Sequence, residues 1–315
     1  MIVALAGGVG GAKLAHGLAL AATGSGSGAQ PRVIVNTADD FEHHGLRISP
    51  DLDTVLYTLA GLANAETGWG LAGDTFTTLD MLARYGVETW FQLGDRDFAT
   101  HLLRTQRLRA GWTLTQVTAA FTRALGVEAD LLPMCDEPIA TMVETPDGAL
   151  DFQDYFVRRR QTDDVRGVQF TGIEQAHIPE GVRAACAAAD LIVFCPSNPI
   201  VSIGPILAVP GMRALLQQVA APRIAVSPIV GGRALKGPAD RMLAGLGHAV
   251  SATGVARLYQ GLIDGMVIDQ VDAELAASIE ALGMRVLVTD TMMRNERDRQ
   301  RLAREVMAFG APGIS

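Results

Sequence analysis

Short apolar runs, rich in β-branched residues, recur along this chain, and each ends in a polar or glycine-containing loop. They fall at 2–6, 33–35, 191–195, 224–227, 250–251, 266–268 and 286–288. Continuous apolar runs of this length are expected of strands buried on both faces, and such strands belong to parallel sheets covered by helices. The runs predict an α/β, Rossmann-like fold, a mostly parallel sheet flanked by helices. With 315 residues, 49% of them hydrophobic, the chain is long enough to bury a sizeable core.

Between 70 and 175 the alternation gives way to helical spacing over 77–85, 98–109 and 113–125. Strand-like stretches follow at 131–134 and at 141–145 and 150–157, the last two flanking a Pro146-Asp147-Gly148 turn. We read 1–69 and 176–315 as the Rossmann-like core and 70–175 as a helical and β-hairpin insertion over the ligand edge of the sheet. A charged helix over 292–309 closes the core.

In an open α/β sheet ligands bind outside the carboxyl ends of the strands, so the loops there carry the candidate chemistry. The first holds Gly7, Gly8, Gly10 and Gly11, then Lys13, ahead of a helix over 12–22. Glycines admit close approach of a phosphate, and a helix N-terminus favours an anion. The loop is not a Walker A sequence, because Ala12 separates Gly11 from Lys13, and Lys13 occupies the third glycine position of the dinucleotide fingerprint. Residues 24–30 read as a flexible surface connection.

The second loop, after the run at 33–35, carries Asn36, Thr37, Asp39, Asp40, Glu42, His43, His44, Asp51 and Asp53. Its two separated acid pairs suit a hard divalent cation, Mg2+ first. Read without a ligand, the same acids form a solvated loop in which Asp53 opens a helix over 54–62. A later loop places Ser197, Asn198, Ser202 and Gly204 after a buried strand, where they could meet a phosphate or a base. Asp95, Arg96 and Asp97, with His101 and Arg104 beyond, read by themselves as a capping salt-bridge corner. Trp69, Trp90 and Phe91 are either insertion core or a stacking surface for a ring system.

A net charge of −8 argues against nucleic acid as a partner. Cys135, Cys186 and Cys195 form no CxxC pair, which argues against a disulfide framework or a zinc site and favours a reducing, cytoplasmic setting. No apolar run reaches membrane-spanning length.

The blocks AGGVGGAKL, NTADDFEHHGLRISPDLDTVLYTLAG, LGDRDFATHLLRTQRLRAG, PSNPIVSIGPILAVPGMR and SPIVGGRALKGPA together resemble the 2-phospho-L-lactate transferases of coenzyme F-420 biosynthesis. The resemblance runs from Met1 to about Asp269. It implies transfer of a phospho-three-carbon acid, of the phospholactate, phosphoenolpyruvate or phosphoglycerate type, from a guanosine diphosphate-activated form to the ribityl hydroxyl of the deazaflavin Fo, releasing GMP. It also implies a magnesium-dependent enzyme and a homodimer. Carried onto this sequence, the metal ligands are Asp39 and Asp53, with Asp40 and Asp51 as near alternatives. Asp40 is the candidate base, and Asp39, Asp40 and Asp53 are the catalytic set. The nucleotide would lie on the Gly7 to Lys13 loop and on Ser197, Asn198, Ser202 and Gly204. The acceptor would meet Asn36, Thr37, Asp51, Asp95, Arg96, His101 and Arg104. A non-catalytic guanine-nucleotide-binding protein and a nicotinamide-dependent oxidoreductase are the competing readings.

Overall fold

A computed structural model describes residues 1–24 and 30–311. Most of the connection expected at 24–30 lies outside these residues. Seven parallel strands form the central sheet, in the order Arg285–Thr289, Gly265–Asp269, Arg223–Val226, Leu191–Phe194, Ile2–Ala6, Arg32–Val35 and Asp130–Pro133. Every neighbouring pair is parallel. Starting from Ile2–Ala6, the chain builds one half of the sheet and then crosses to build the other. The order reverses between Ile2–Ala6 and Leu191–Phe194, so a ligand crevice opens beyond the carboxyl ends of these two strands. Apolar side chains on the two faces of the sheet form separate cores, one including Leu5, Phe194 and Met266, the other Ala4, Leu14 and Val193.

Several boundaries differ from the sequence expectation, each for a local reason. The first helix is Gly8–Gly24, so the glycines form its opening turn rather than a loop before it. The second is Pro50–Leu59, with proline in its first turn, which moves Asp51 and Asp53 from a loop into a helix N-terminus. Residues 250–251 are not a strand: the Ser251 hydroxyl accepts the Gly254 N–H and caps the Ala252–Leu258 helix. Strand Gly148–Asp151 ends well short of residue 157. Asp130–Pro133, inside the stretch read as insertion, is the edge strand of the central sheet. The insertion therefore has two parts: the helices up to Ala124, and a three-stranded antiparallel sheet of Ala140–Thr145, Gly148–Asp151 and Gly167–Thr171.

Within the acid-rich stretch, Phe41–His43 pairs antiparallel with Leu46–Ile48. His44 and Gly45 make the two-residue turn with φ of 51° and 73°. Two successive positive φ values are what a type I′ hairpin demands.

Candidate active site

The two strands at the switch point deliver loops that lock together. The Gly7 N–H donates to Ser197 Oγ at 3.0 Å, and the Ser197 hydroxyl donates back to the Gly7 carbonyl at 2.8 Å. A Cβ on Gly10 would lie 2.2 Å from the Pro196 carbonyl oxygen, and one on Gly11 would lie 2.5 Å from Ser197 Oγ. Loop packing therefore requires these two glycines whatever ligand is bound. Asn198 Oδ1 accepts the Ile200 N–H at 2.9 Å, shaping the same turn. Ser202 is buried against Gly7, and a Cβ on Gly204 would press on the Pro199 carbonyl at 3.1 Å.

The second strand ends in Asn36, whose side chain organises the acids. Its Nδ2 lies 3.1 Å from Asp39 Oδ2, 2.9 Å from Asp51 Oδ2 and 3.1 Å from the Val201 carbonyl. Asp51 Oδ1 accepts the Gly8 N–H at 2.8 Å, so the helix N-terminus read as an anion cradle already receives a carboxylate of the chain. Asp40 Oδ2 accepts the Ser49 hydroxyl at 2.6 Å and lies 3.9 Å from Arg47 Nε. Burial raises all three acids. Asp39, pushed further by the Asp51 charge, sits well above the carboxylate range. Asp40 is pushed up to about 7 against the pull of Arg47 and Ser49, and Asp51 to about 6 against its bonds to Asn36 and Gly8. Among the described residues Asp39 Oδ1 and Asp40 Oδ1 are buried with no hydrogen-bond partner in bonding geometry, although the Thr141 hydroxyl stands near enough to Asp39 to temper its rise. Buried acceptors left open beside like charges fit a hard cation, because carboxylate oxygens are the donors that magnesium prefers.

A family model described as 2-phospho-L-lactate transferase CofD matches residues 2–307. The chain belongs to that family. It is 45% identical over 313 residues to a phosphoenolpyruvate transferase of Streptomyces griseus subsp. griseus, covering 97% of each chain. It is 40% identical over 277 residues to a 2-phospho-L-lactate transferase of Methanosarcina acetivorans, covering 88% of this chain and 90% of that one. A crystal structure of a UPF0052 family member from Bacillus halodurans shares the fold, with a TM-score of 0.66 at 15% identity over 97% of this chain and 98% of that one. As a member of the CofD family the chain is a transferase of the 2-phospho-L-lactate transferase type, acting in coenzyme F-420 biosynthesis.

In this CofD-family chain the acid expected beside Asp39 stands elsewhere. Asp53 is gripped by both terminal nitrogens of Arg104, one at 3.0 Å from Oδ2 and the other close on Oδ1. Asp51, not Asp53, shares the Asn36 amide with Asp39. Arg104 is 2% exposed and His101 1%. His101 Nε2 lies 3.2 Å from Asp97 Oδ1, which also accepts the Tyr57 hydroxyl at 2.7 Å. Asp53, Asp97 and His101 bring their ligand atoms within 4.8 Å of one another, but the Arg104 cation fills the charge balance of that cluster.

The Asp95–Arg109 helix is thus a supporting layer for the acids. The Arg47 N–H donates to Thr105 Oγ1 at 2.7 Å, and Arg109 Nη2 donates to the Gly45 carbonyl at 2.9 Å, pinning the 41–48 hairpin from one face of the helix. At the other end Asp95 caps the Thr77–Arg84 helix. The Thr75 hydroxyl and the amides of Thr78 and Thr77 hold its carboxyl below the usual range. Arg96 Nη1 donates to the Ala72 carbonyl at 2.9 Å. Asp95 and Arg96, expected to meet the acceptor, make these bonds within the insertion. Thr37 sits against Cys135, 3.8 Å from its sulfur.

Beside Asp40 a cavity of about 600 Å3 is lined by Phe41, His43, Arg47, Trp90, Ile139 and Arg158, among others. Trp90 and Phe91 pack edge-on to His43, and Phe41 meets Phe91 with ring centroids 4.9 Å apart. Burial and the neighbouring His44 lower His43 to about 4, so its ring is neutral near pH 7. Arg47 and His43 gain their place only through the hairpin. The His44-Gly45 turn was the sequence signal for it.

Proposed function

We propose that this enzyme transfers a phospho-three-carbon-acid group from its guanosine diphosphate-activated form to the terminal ribityl hydroxyl of Fo, releasing GMP. The observation that carries this reading is the group of three buried acids, Asp39, Asp40 and Asp51, at the switch-point crevice and next to an aromatic-lined cavity. The cavity suits a flat tricyclic ring, which Trp90, Phe41 and neutral His43 can stack against or meet edge-on. Phosphoenolpyruvate heads the list of donor acids, because the relative bearing that name matches over nearly the whole of both chains.

Asp39 and Asp51 would hold Mg2+, with Asp40 adjacent. When bound, the ion supplies charge neutralisation for the donor diphosphate. The acceptor hydroxyl attacks the phosphorus nearest the three-carbon acid. A new P–O bond forms as the bond to the GMP phosphate breaks, and the hydroxyl proton passes to a carboxylate. Asp40 is suited to receive it: its pKa of about 7 matches the working pH, and Oδ1 is unengaged while Ser49 and Arg47 fix Oδ2. Asn36 and Arg104 hold the acids at their stations and need not touch the substrate.

Chromatography of purified enzyme with magnesium and a guanosine-activated donor tests the reading: GMP is released only when Fo is added. Binding of GDP without Fo-dependent GMP release would favour the non-catalytic nucleotide-binding reading.

A further inference from the structure

Gln153, Asp154 and Arg158 line the cavity beside Asp40, on a segment whose backbone is unusual twice over. Asp154–Arg158 is a π-helix: the Arg159 N–H donates to the Asp154 carbonyl, five residues back, at 2.8 Å. Soon after it Arg160 and Gln161 have φ of 51° and 59°, two successive left-handed residues without a glycine. Both ends of the segment are fixed. Gln153 is buried and its Nε2 donates to the Asp39 carbonyl at 3.3 Å, while Arg241 donates to the Gln161 carbonyl. Phe152 and Tyr155 anchor the middle in a small core that includes Val143 and Met242. Turns of this kind and left-handed residues that carry side chains gather at functional sites, because the strain costs stability.

The wide turn brings Asp154 and Arg158 together, with Oδ1 3.5 Å from Nη1. Arg158 Nη2 also donates to both oxygens of Glu88, at 3.0 Å each. Glu88 lies two residues before Trp90, so the guanidinium reaches from the π-helix to the stretch that bears an aromatic wall of the cavity. The Arg158 and Glu88 side chains are 47% and 68% exposed, and an exposed ion pair contributes little to stability. It does not offset two strained residues, so stability does not account for the conformation.

Among the described residues every hydrogen bond of the Arg158 side chain is made by Nη2, and the Asp154 carboxylate accepts none. Donors on Nε and Nη1 and an open acceptor beside them therefore line the same cavity. Glu88 and Asp154 outweigh the Arg158 charge, so the pair suits a neutral polar group better than an anion. A flat ring that presents a carbonyl oxygen next to an N–H satisfies both side chains. We propose that Arg158 and Asp154 read the imide edge of the acceptor ring, Arg158 donating to a ring carbonyl and Asp154 accepting the neighbouring N–H. This rests on the reading above that the ring of Fo enters this cavity. Guanine presents the same carbonyl and N–H, so its binding is an arm of the test. The pair would act as a specificity determinant, because an analogue without the N–H leaves the carboxylate unpaired.

Fluorescence titration of the full chain with Fo and with Fo methylated at its imide nitrogen tests the proposal, in the wild type, Asp154→Ala and Arg158→Gln, with GDP titrated by calorimetry. The wild type is expected to bind Fo about tenfold or more tightly than the methylated ring. In Asp154→Ala that ratio should fall close to one, whereas Arg158→Gln should weaken both ligands, since both keep the carbonyls. GDP affinity should stay unchanged. The ratio within one variant is insensitive to loss of folded protein, which a merely structural role would produce. The same ratio in wild type and Asp154→Ala, or no preference in the wild type, would overturn the proposal while leaving Fo binding intact. GDP weakened by both variants with Fo unchanged would overturn it in favour of guanine. Fo unbound by the wild type would overturn it together with the acceptor reading.

Discussion

Asp51 Oδ1 accepts the Gly8 N–H at 2.8 Å, tying an acid of the second helix to the opening turn of the first. Its other oxygen meets the Asn36 amide that also holds Asp39. One carboxylate thus joins the glycine turn to the acid cluster, and it makes two separable contributions. Asp51→Asn keeps an acceptor for Gly8 but loses the charge, whereas Asp51→Ala loses both. We expect both variants to lose turnover by 100-fold or more, about the effect of removing a group that stabilises transition-state charge. Only Asp51→Ala should cost about 1 kcal/mol of stability as a lost cap. Chemical denaturation beside a product assay separates the two.

The acids also make stability depend on pH. Asp40 and Asp51 have folded-state values near 7 and 6, above the ordinary 3.8, and Asp39 is raised as well. Such groups favour the folded state fully below pH 3.8, and that contribution is lost as pH rises through 6 and 7. Without divalent ions, the part of the melting temperature governed by these acids should therefore fall across that window, and Asp40→Asn should flatten its upper end. Magnesium held by the ionised acids, as proposed above, should restore stability more at pH 8 than at pH 5.5. At 100 times its Kd it adds about 2.7 kcal/mol. Differential scanning calorimetry over pH, with and without magnesium, checks both statements.

Arg104 and Asp53 are both buried and engaged in a two-point contact. Arg104→Met leaves Asp53 as an uncompensated buried charge, at a cost of about 3–5 kcal/mol. Adding Asp53→Leu should recover most of that loss, since two apolar side chains can replace a buried pair. Urea titrations of the single and double variants measure the recovery. A double variant no more stable than Arg104→Met would show that the charge imbalance is not the main cost.

Trp90→Ala removes an aromatic wall of the cavity beside Asp40. We expect Fo affinity to fall by about tenfold, within the range of a lost aromatic pair plus its buried area, while GDP affinity stays the same. Quenching of Fo fluorescence and GDP calorimetry read the two affinities independently.

The parallel sheet was legible because strands buried on both faces must be apolar throughout, as 191–195 and 224–226 are. The strand expected at 250–251 failed because two residues carry too little pattern, and Ser251 is better used as a helix cap. Most of the glycine turn and the acid cluster could be found from composition alone. Which acid faces which could not. Asp51 and Asp53 are two residues apart in one helix, about 200° around its axis, so they point to different neighbours. Only the three-dimensional partners, Asn36 for one and Arg104 for the other, decide between them. The charged side chains of the Asp95–Arg109 block look like ligand contacts in the sequence; in the fold Asp95 and Arg96 bond within the insertion, His101 lies against Asp97, and Arg104 holds Asp53.

Mass spectrometry of the products formed from Fo, magnesium and each guanosine-activated acid in parallel, with an EDTA control, tests the proposed transfer. The expected result is one deazaflavin phosphodiester whose mass identifies the donor, an equal amount of GMP, and neither product in EDTA. Fo and GDP both bound, with no new deazaflavin mass from any of the three donors, would contradict it.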